Sequence, residues 1–337
     1  MKRKILSVIL ISALCVALLA GCAKTGADTA ANDGADAGED VTIRLASLKG
    51  PTTMGLVGLL QRAQDGELGY TVESGIYGAA DEITGLIAQG SVDMAAVPCN
   101  LASTLYNKTE GGLVVAAVNT LGVLYVVETG ESVNTLDDLK GRTVYSTGKG
   151  TTPEYVFNAI LAKNGIDAEN DLAVEYKSEA TEAATALLTD GGDAVAVLPQ
   201  PYVASVLAQN ENARIALNLT EEWAAAGFEG DLVTGVVVIS REFAASHPET
   251  VSAFLADYAE SVDWVCKNNA EAAELIENLG VVASAAIAEK ALPYCNIVCI
   301  TGEDMKKDVS NYLGVLFEQN PKAVGGALPG DDFYYAA

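Results

Sequence analysis

The stretch Ser47–Gly58, SLKGPTTMGLVG, decides the fold, because its layout returns a hundred residues later as Ser146–Asn158, STGKGTTPEYVFN. An apolar run, Ile43–Ala46, precedes the first copy, and Met54, Leu56, Val57, Leu59 and Leu60 follow. This reads as strand, glycine turn and helix, with Gly50-Pro51 as the breaker and Thr52 or Thr53 as N-cap. In the second copy Thr151-Thr152 aligns with Thr52-Thr53, after the run Thr143–Tyr145. A helix start behind a glycine leaves N–H groups free and carries the positive end of the macrodipole. Two such starts predict one binding edge on each of two similar lobes.

The repeat runs on. Leu86–Pro98, LIAQGSVDMAAVP, matches Leu187–Pro199, LLTDGGDAVAVLP, as helix end, glycine, aspartate, buried strand and proline. Val72-Glu73 and Val174-Glu175 mark a strand between the landmarks in each half. Any two doubly wound α/β units share this order through physics alone, and that reading also gives two α/β lobes.

The pattern predicts strands at 42–47, 70–76, 92–97 and 113–119 with helices at 52–64, 79–89 and 100–107. A second set follows, with strands at 172–176, 194–198 and 213–218 and helices at 153–164, 179–189 and 202–208. Near-continuous apolar strands such as Met94–Val97 and Leu113–Val118 imply parallel sheets covered on both faces. Val123–Val127 leads into the polar stretch Glu128–Asp137, read as the first crossing between lobes, and Val233–Ser240 is read as the return. The hinges then fall near Val126–Glu128 and Thr234–Val236, dividing the chain into one lobe of 41–127 with 235–337 and another of 128–234. Pro248 opens a long helix whose Val251, Phe254, Leu255, Tyr258, Val262, Val265 and Cys266 share one face. Helices at Ala270–Asn278, Ala283–Ala291 and from Glu303, with Thr301 and Asp304 as a capping box, follow and buttress the first lobe.

The chain has 337 residues and begins Met1-Lys2-Arg3-Lys4, apolar from Ile5 to Ala20, then Gly21-Cys22. That is a signal peptide over 1–21, with an apolar core short for a membrane span. An uncleaved anchor helix competes with this reading, but small residues directly before Cys22 disfavour it. The ending resembles a bacterial lipobox, which implies lipidation of Cys22. Residues 22–40 then hold no large apolar residue and read as a flexible acidic tether.

Twenty Lys and Arg stand against 45 Asp and Glu, a formal net charge of −25, so nucleic acid is not a partner. The single histidine, His247, sits at a helix start, which removes Ser-His-Asp and Cys-His hydrolysis. Outside the signal peptide and lipobox, Cys99, Cys266, Cys295 and Cys299 remain. They read as buried free thiols, with a disulfide open, and neither a metal nor a cofactor is expected. Gly148-Lys149 is not a phosphate-binding P-loop, since Thr143 stands where glycine is needed and Gly150 replaces the Ser/Thr.

What remains is a cleft beyond the carboxyl ends of the strands. Its candidate ligand residues are Lys49, Gly50, Thr52, Thr53, Tyr77, Cys99, Asn100, Asn119, Thr120, Gly150, Thr151, Thr152, Gln200 and Tyr202. The threonine pairs serve as caps, ligand contacts or both. Cys99 and Asn100 otherwise simply start a helix. Tyr77 and Tyr202 are rim residues or aromatic clamps.

Lipobox, tether, the GPTT turn, Gly90–Asp93 and the closing Asn320-Pro321, Leu328-Pro329 and Asp332–Tyr335 together resemble a substrate-binding lipoprotein of a bacterial ABC importer. The nitrate/sulfonate/taurine type, which includes thiamine-precursor pyrimidine binders, is the most similar group, over nearly all of 41–337. The resemblance implies a periplasmic-binding-protein fold of type II, α/β, with two doubly wound lobes closing through two hinge crossings. It implies a lipid-anchored, extracytoplasmic monomer whose ligand is a sulfonate, small acid or pyrimidine-like solute, serving an ABC permease and ATPase. No arginine stands in the cleft loops, which counts against bidentate capture of a carboxylate or sulfonate. Two other readings are a pyrimidine-synthase-like enzyme, which would need a histidine or a cysteine cluster in the cleft, and a ligand-sensing surface lipoprotein.

Overall fold

The computed structural model describes residues 41–190 and 194–336. The expected signal peptide, lipidation site and tether lie outside the described residues.

The chain opens with β1 (Thr42–Leu48), α1 (Pro51–Met54), α2 (Val57–Gln64), β2 (Thr71–Tyr77), α3 (Ala80–Ala88), β3 (Met94–Pro98), α4 (Cys99–Lys108) and β4 (Leu113–Leu121). Next come β5 (Leu124–Thr129), β6 (Thr143–Thr147), α5 (Thr152–Lys163), β7 (Ala173–Lys177), α6 (Ala180–Thr189), β8 (Val195–Pro199), α7 (Tyr202–Gln209), β9 (Ala213–Asn218) and α8 (Leu219–Ala225). The last third holds β10 (Val233–Ser240), α9 (Arg241–Ser246), α10 (Pro248–Lys267), α11 (Asn269–Asn278), α12 (Ala285–Ala291), β11 (Ile297–Ile300) and α13 (Gly302–Gln319).

Two sheets form, in the orders β2-β1-β3-β10-β4-β11 and β7-β6-β8-β5-β9. In the first, β1 pairs in parallel with β2, from Thr42 opposite Thr71 to Leu48 opposite Tyr77, and with β3. In the second, β6 pairs in parallel with β7 and β8 in the same way. Each sheet then receives an antiparallel strand in its interior, β10 between β3 and β4 and β5 between β8 and β9, and β11 adds a second one at the edge of the first sheet beside β4. The repeat seen in the sequence is therefore a repeat of sheet topology. It is a mixed α/β fold with two doubly wound sheets.

The crossings lie elsewhere than the sequence suggested. Val126–Glu128 is the middle of β5, inside the second sheet, so the chain passes between sheets at Gly122-Val123. Val233–Ser240 is a central strand of the first sheet, and the return runs through 226–232. The physical reason is visible in the residues. Leu124–Val127 and Val236–Ile239 are unbroken apolar runs, buried throughout, and such runs belong at a sheet centre with both faces covered.

The predicted helix 52–64 is two helices, because Ser261 of α10 inserts at the break. Its hydroxyl donates to the Gly55 carbonyl at 2.7 Å and accepts from the Leu59 N–H at 2.9 Å. A Cβ on Gly55 would come within 2.8 Å of Ile297 Cγ2 and 2.9 Å of Tyr258 Oη, so the close approach needs glycine there. Thr301 makes no side-chain cap bond at the start of α13, contrary to the expected capping box.

The face of α10 read from sequence is buried at Val251, Phe254, Tyr258, Val262 and Val265, packing on the first sheet's helices. Helix α13 does more than buttress one side. Its Met305, Val309, Tyr312, Leu313 and Leu316 are all fully buried, in a core that also holds Val156 and Ile160 of α5 and Val97 of β3. Burial of each such side chain is worth about 1.5–3 kcal/mol before entropy is counted, so α13 braces both sheets.

Candidate functional site between the sheet edges

Strand direction sets the site. Strands β1, β2, β3 and β4 all end on one edge of the first sheet, where β10 begins at Val233-Thr234-Gly235. Gly122-Val123 carries the chain straight from that edge to the start of β5, beside the ends of β8 and β9. The carboxyl ends of both parallel sets therefore meet across the crossings. This is where ligands sit in open α/β sheets.

The seam between the edges is closed by hydrogen bonds. Thr152 Oγ1, at the start of α5, donates to Asn100 Oδ1, at the start of α4, at 3.3 Å. Asn320 Nδ2 donates to Tyr155 Oη at 3.0 Å, and Tyr125 Oη donates to the Tyr294 carbonyl at 2.7 Å. The Gln200 N–H reaches the Val123 carbonyl at 3.0 Å. The two crossings also touch: a Cβ on Gly122 would lie 2.1 Å from Thr220 Oγ1 and 2.8 Å from Leu232 Cδ2.

Along this seam lie buried polar atoms with no hydrogen-bond partner among the described residues. They are Asn119 Oδ1, Thr120 Oγ1, Gln200 Nε2 and Thr220 Oγ1, with Tyr312 Oη beside the Thr152 side chain. Asn119 and Thr120 are 0% exposed and Gln200 is 2% exposed, so bulk solvent does not reach them. Buried polar groups are nearly always paired, and a row of exceptions at one seam marks a place built for something else to pair with. The row holds an acceptor at Asn119, hydroxyls at Thr120 and Thr220, and a donor at Gln200.

Of the sequence candidates, Thr52, Thr53, Asn100, Asn119, Thr120, Thr152 and Gln200 gather at the seam, though the hydroxyls are used differently from expectation. Gly50 is the N-cap of α1, not a threonine. Thr52 and Thr53 are inside the helix, and both hydroxyls donate to the Leu48 carbonyl, at 2.8 and 2.6 Å. Thr151 is the N-cap residue of α5 but makes no side-chain cap bond; its hydroxyl donates to the Gly148 carbonyl at 2.6 Å. Asn119 Nδ2 is held by the Thr52 carbonyl at 3.1 Å, which aims its free oxygen.

Other candidates sit apart. Lys49, Gly150 and Thr151 are exposed at the rim. The Gly150 N–H is taken by the Glu154 carboxylate, which occupies the anion-binding end of α5. Cys99 is fully buried at the start of α4, where burial pushes its thiol well above the ordinary value and the Tyr312 hydroxyl lies close enough to interact with it. Tyr77 folds back over its own strand onto Gly75, where a Cβ would meet its hydroxyl at 2.6 Å, and Tyr202 is half-buried at the start of α7. Tyr312 and Thr220 went unread in the sequence. Tyr312 repeats at helical spacing with Met305, Val309 and Leu316, a pattern that reports a core face and gives no sign of a polar tip.

Charge at the seam is sparse. Arg44, Arg62, Arg214 and Arg241 are paired with Asp93, Asp257, Glu128 and Asp332 away from it, and Arg142 donates to the Asp138 carbonyl. Lys149 lies over the Tyr176 ring, 5.7 Å from its centroid. Among the described residues no cluster of three His, Cys, Asp or Glu side chains is placed to hold a metal ion. The four cysteines are free, with Cys99 and Cys295 buried as read and Cys266 exposed.

A family model described as ABC transporter, phosphonate, periplasmic substrate-binding protein matches residues 60–291, more than half of the chain. The chain belongs to that family. It is a periplasmic substrate-binding protein of an ABC transporter, as the seam between two doubly wound sheets and the sequence resemblance to importer binding proteins anticipate. No curated protein sequence matches it. Among solved structures, an ABC transporter protein from Parabacteroides distasonis is 23% identical, with a TM-score of 0.74 over 88% of this chain and 99% of that one. The periplasmic aliphatic sulphonate binding protein SsuA from Escherichia coli is 16% identical, with a TM-score of 0.68 over 88% and 92%. The alkanesulfonate-binding protein SsuA from Xanthomonas axonopodis pv. citri, bound to MOPS, is 15% identical, with a TM-score of 0.61 over 86% and 95%. At these identities the likeness is one of fold. The family member described here carries its own set of polar groups at the seam.

Proposed function

We propose that this substrate-binding protein captures one small polar solute in the seam and delivers it to an ABC permease, working as a monomer tethered through a lipidated Cys22. The two sheets, with 41–121 and 233–336 on one side and 124–225 on the other, act as lobes that part to admit the ligand. The observation that carries this reading is the row of unpartnered buried polar atoms, Asn119 Oδ1, Thr120 Oγ1 and Gln200 Nε2, between the facing helix starts of α4 and α5. A ligand offering both acceptors and a donor satisfies them. Its acceptor-rich end sits at the start of α4, with Gln200 Nε2 as a further donor, because Glu154 already occupies the start of α5.

Phosphonates, from the family description, and sulfonates, from the neighbours of like fold, head the candidates, with small carboxylates and pyrimidines after them. The absence of an arginine at the seam selects ligands that helix starts and hydroxyls can hold unaided. The test is a thermal-shift panel of these four classes, followed by small-angle scattering with any compound that raises the melting temperature. A hit that also lowers the radius of gyration supports capture by closure. If all four classes leave the melting temperature unchanged, the ligand class is wrong; if a hit leaves the radius unchanged, the closing motion is wrong.

A further inference from the structure

We propose a second site, independent of the seam, that binds a small organic cation (a protonated amine on an apolar body). It is a cavity of about 650 Å³ at the opposite edge of the first sheet, where β3 and β4 begin and β10 ends. That volume suits a compact metabolite. Because β3 runs from this cavity to the seam and β10 runs back from the seam to it, the two sites lie at opposite ends of the sheet and do not share a residue.

The cavity wall is apolar at Val92, Leu113, Val238 and Phe243, and the His247 ring packs on Phe243 with centroids 4.8 Å apart. Its sign of charge follows from four charged or titratable side chains and four helix ends. Arg44 and Asp93 cancel: the Arg44 Nε and Nη2 groups donate to the Asp93 carboxylate at 2.9 and 2.5 Å, and Nη1 donates to the Gly90 carbonyl at 3.0 Å. Glu242 also lines the cavity and makes no ion pair among the described residues. His247 is the fourth group. Helices α3 and α4 finish here while α9 and α10 begin here, at Ser240 and His247, so the macrodipole ends offset one another and the Glu242 carboxylate sets the sign. A pocket of mixed lining, with apolar walls and an unpaired carboxylate, selects a cation with an apolar body, and the net charge of −25 raises the local concentration of any cation.

Three probes of nearly one shape separate the charge states: 2-phenylethylamine, 2-phenylethanol and phenylacetate, titrated into the full chain by NMR at pH 7.5 and low salt. The amine should saturate a single site and bind about fivefold or more tighter than the alcohol, the weight of one partly exposed charge contact. Phenylacetate should be weakest. Glu242→Gln should remove most of the amine's advantage, and Ala88→Trp at the exposed mouth should block all three probes. Both variants should melt like the parent, and Thr152→Val at the seam should leave amine binding unchanged. Equal binding of the three probes, a preference for phenylacetate, or amine binding indifferent to both cavity variants overturns the proposal. None of these results bears on the seam, whose own test uses different ligands.

Discussion

Whether the first threonine pair holds the loop or the ligand can be decided by replacing Thr52 and Thr53, singly and together, with valine. Valine keeps the shape and removes the hydroxyl, so no cavity opens. Both hydroxyls donate to one acceptor, the Leu48 carbonyl, at 2.8 and 2.6 Å, and Thr53 is 0% exposed. Losing one donor leaves the carbonyl served by the other and should cost about 1 kcal/mol, a net hydrogen bond. Losing both leaves that carbonyl without a side-chain donor at a buried turn. The double variant should therefore lose about 3 kcal/mol, more than the sum of the singles, since an unsatisfied buried acceptor costs about 1–3 kcal/mol. Urea unfolding gives the three stabilities and the coupling. Ligand affinity, once a compound is known, should fall less than threefold in either single variant that stays folded, because the hydroxyl protons are already spent (threefold is about 0.6 kcal/mol). A Thr53→Val protein with parental stability and lost binding would refute this reasoning and make the threonine a direct ligand contact.

Three further outcomes follow from named contacts. Burial alone would raise the Glu128 carboxyl, but the Val133 and Ser132 N–H groups, the Ser132 hydroxyl and Arg214 hold its pKa below the usual 4.5. A depressed folded-state pKa contributes stability above the unfolded value and loses it as pH falls, so Glu128→Gln should cost about 2 kcal/mol at pH 7 and flatten the acid limb of stability below pH 5, read by urea melts across pH. Gly122→Ala should drive a methyl into Thr220 and Leu232 where the crossings touch, costing about 1–3 kcal/mol and altering the scattering radius, while an unchanged radius and stability would separate the crossings. Mass spectrometry of membrane-extracted protein should show a chain beginning at a lipid-modified Cys22, and an intact Met1 would sink the anchor.

Much of the fold was legible because it is written in short-range pattern. The repeated strand–turn–helix and the Val- and Ala-rich runs at Met94–Val97 and Leu113–Val118 fix two parallel units without any knowledge of partners. Pairing across the chain is not written that way. Leu124–Val127 and Val233–Ile239 look the same as a crossing strand or as a central one, and only the slots between β8 and β9 and between β3 and β4 decide it. The site was half legible for a related reason. Asn100, Asn119, Thr152 and Gln200 stand at predicted strand ends, so topology alone brings them to the seam. Cys99 stands there too, buried at the start of α4 with its thiol near the Tyr312 hydroxyl. Tyr312 arrives from more than a hundred residues beyond the last of these, on a helix whose spacing announces only burial.

The seam's energetics point to a closure that the ligand strengthens. Three hydrogen bonds hold it shut, Thr152 to Asn100, Asn320 to Tyr155 and Tyr125 to the Tyr294 carbonyl, each neutral and worth roughly 1 kcal/mol net. Against them stand Asn119 Oδ1, Thr120 Oγ1 and Gln200 Nε2, each costing about 1–3 kcal/mol when buried without a partner. The apolar faces of α13 and α12, buried against α5 and α7, also hold the sheets together, so the orphan atoms oppose closure without balancing it. A ligand that supplies the missing partners removes the opposing cost and leaves the latches intact. It shifts the population by the difference between its affinity for the closed seam and for either edge alone. Asn119→Leu, which removes one orphan acceptor and one ligand contact together, should therefore favour the closed form without ligand and weaken the ligand's further effect on the scattering radius. A variant that opened instead would show that the orphan atoms do not oppose closure.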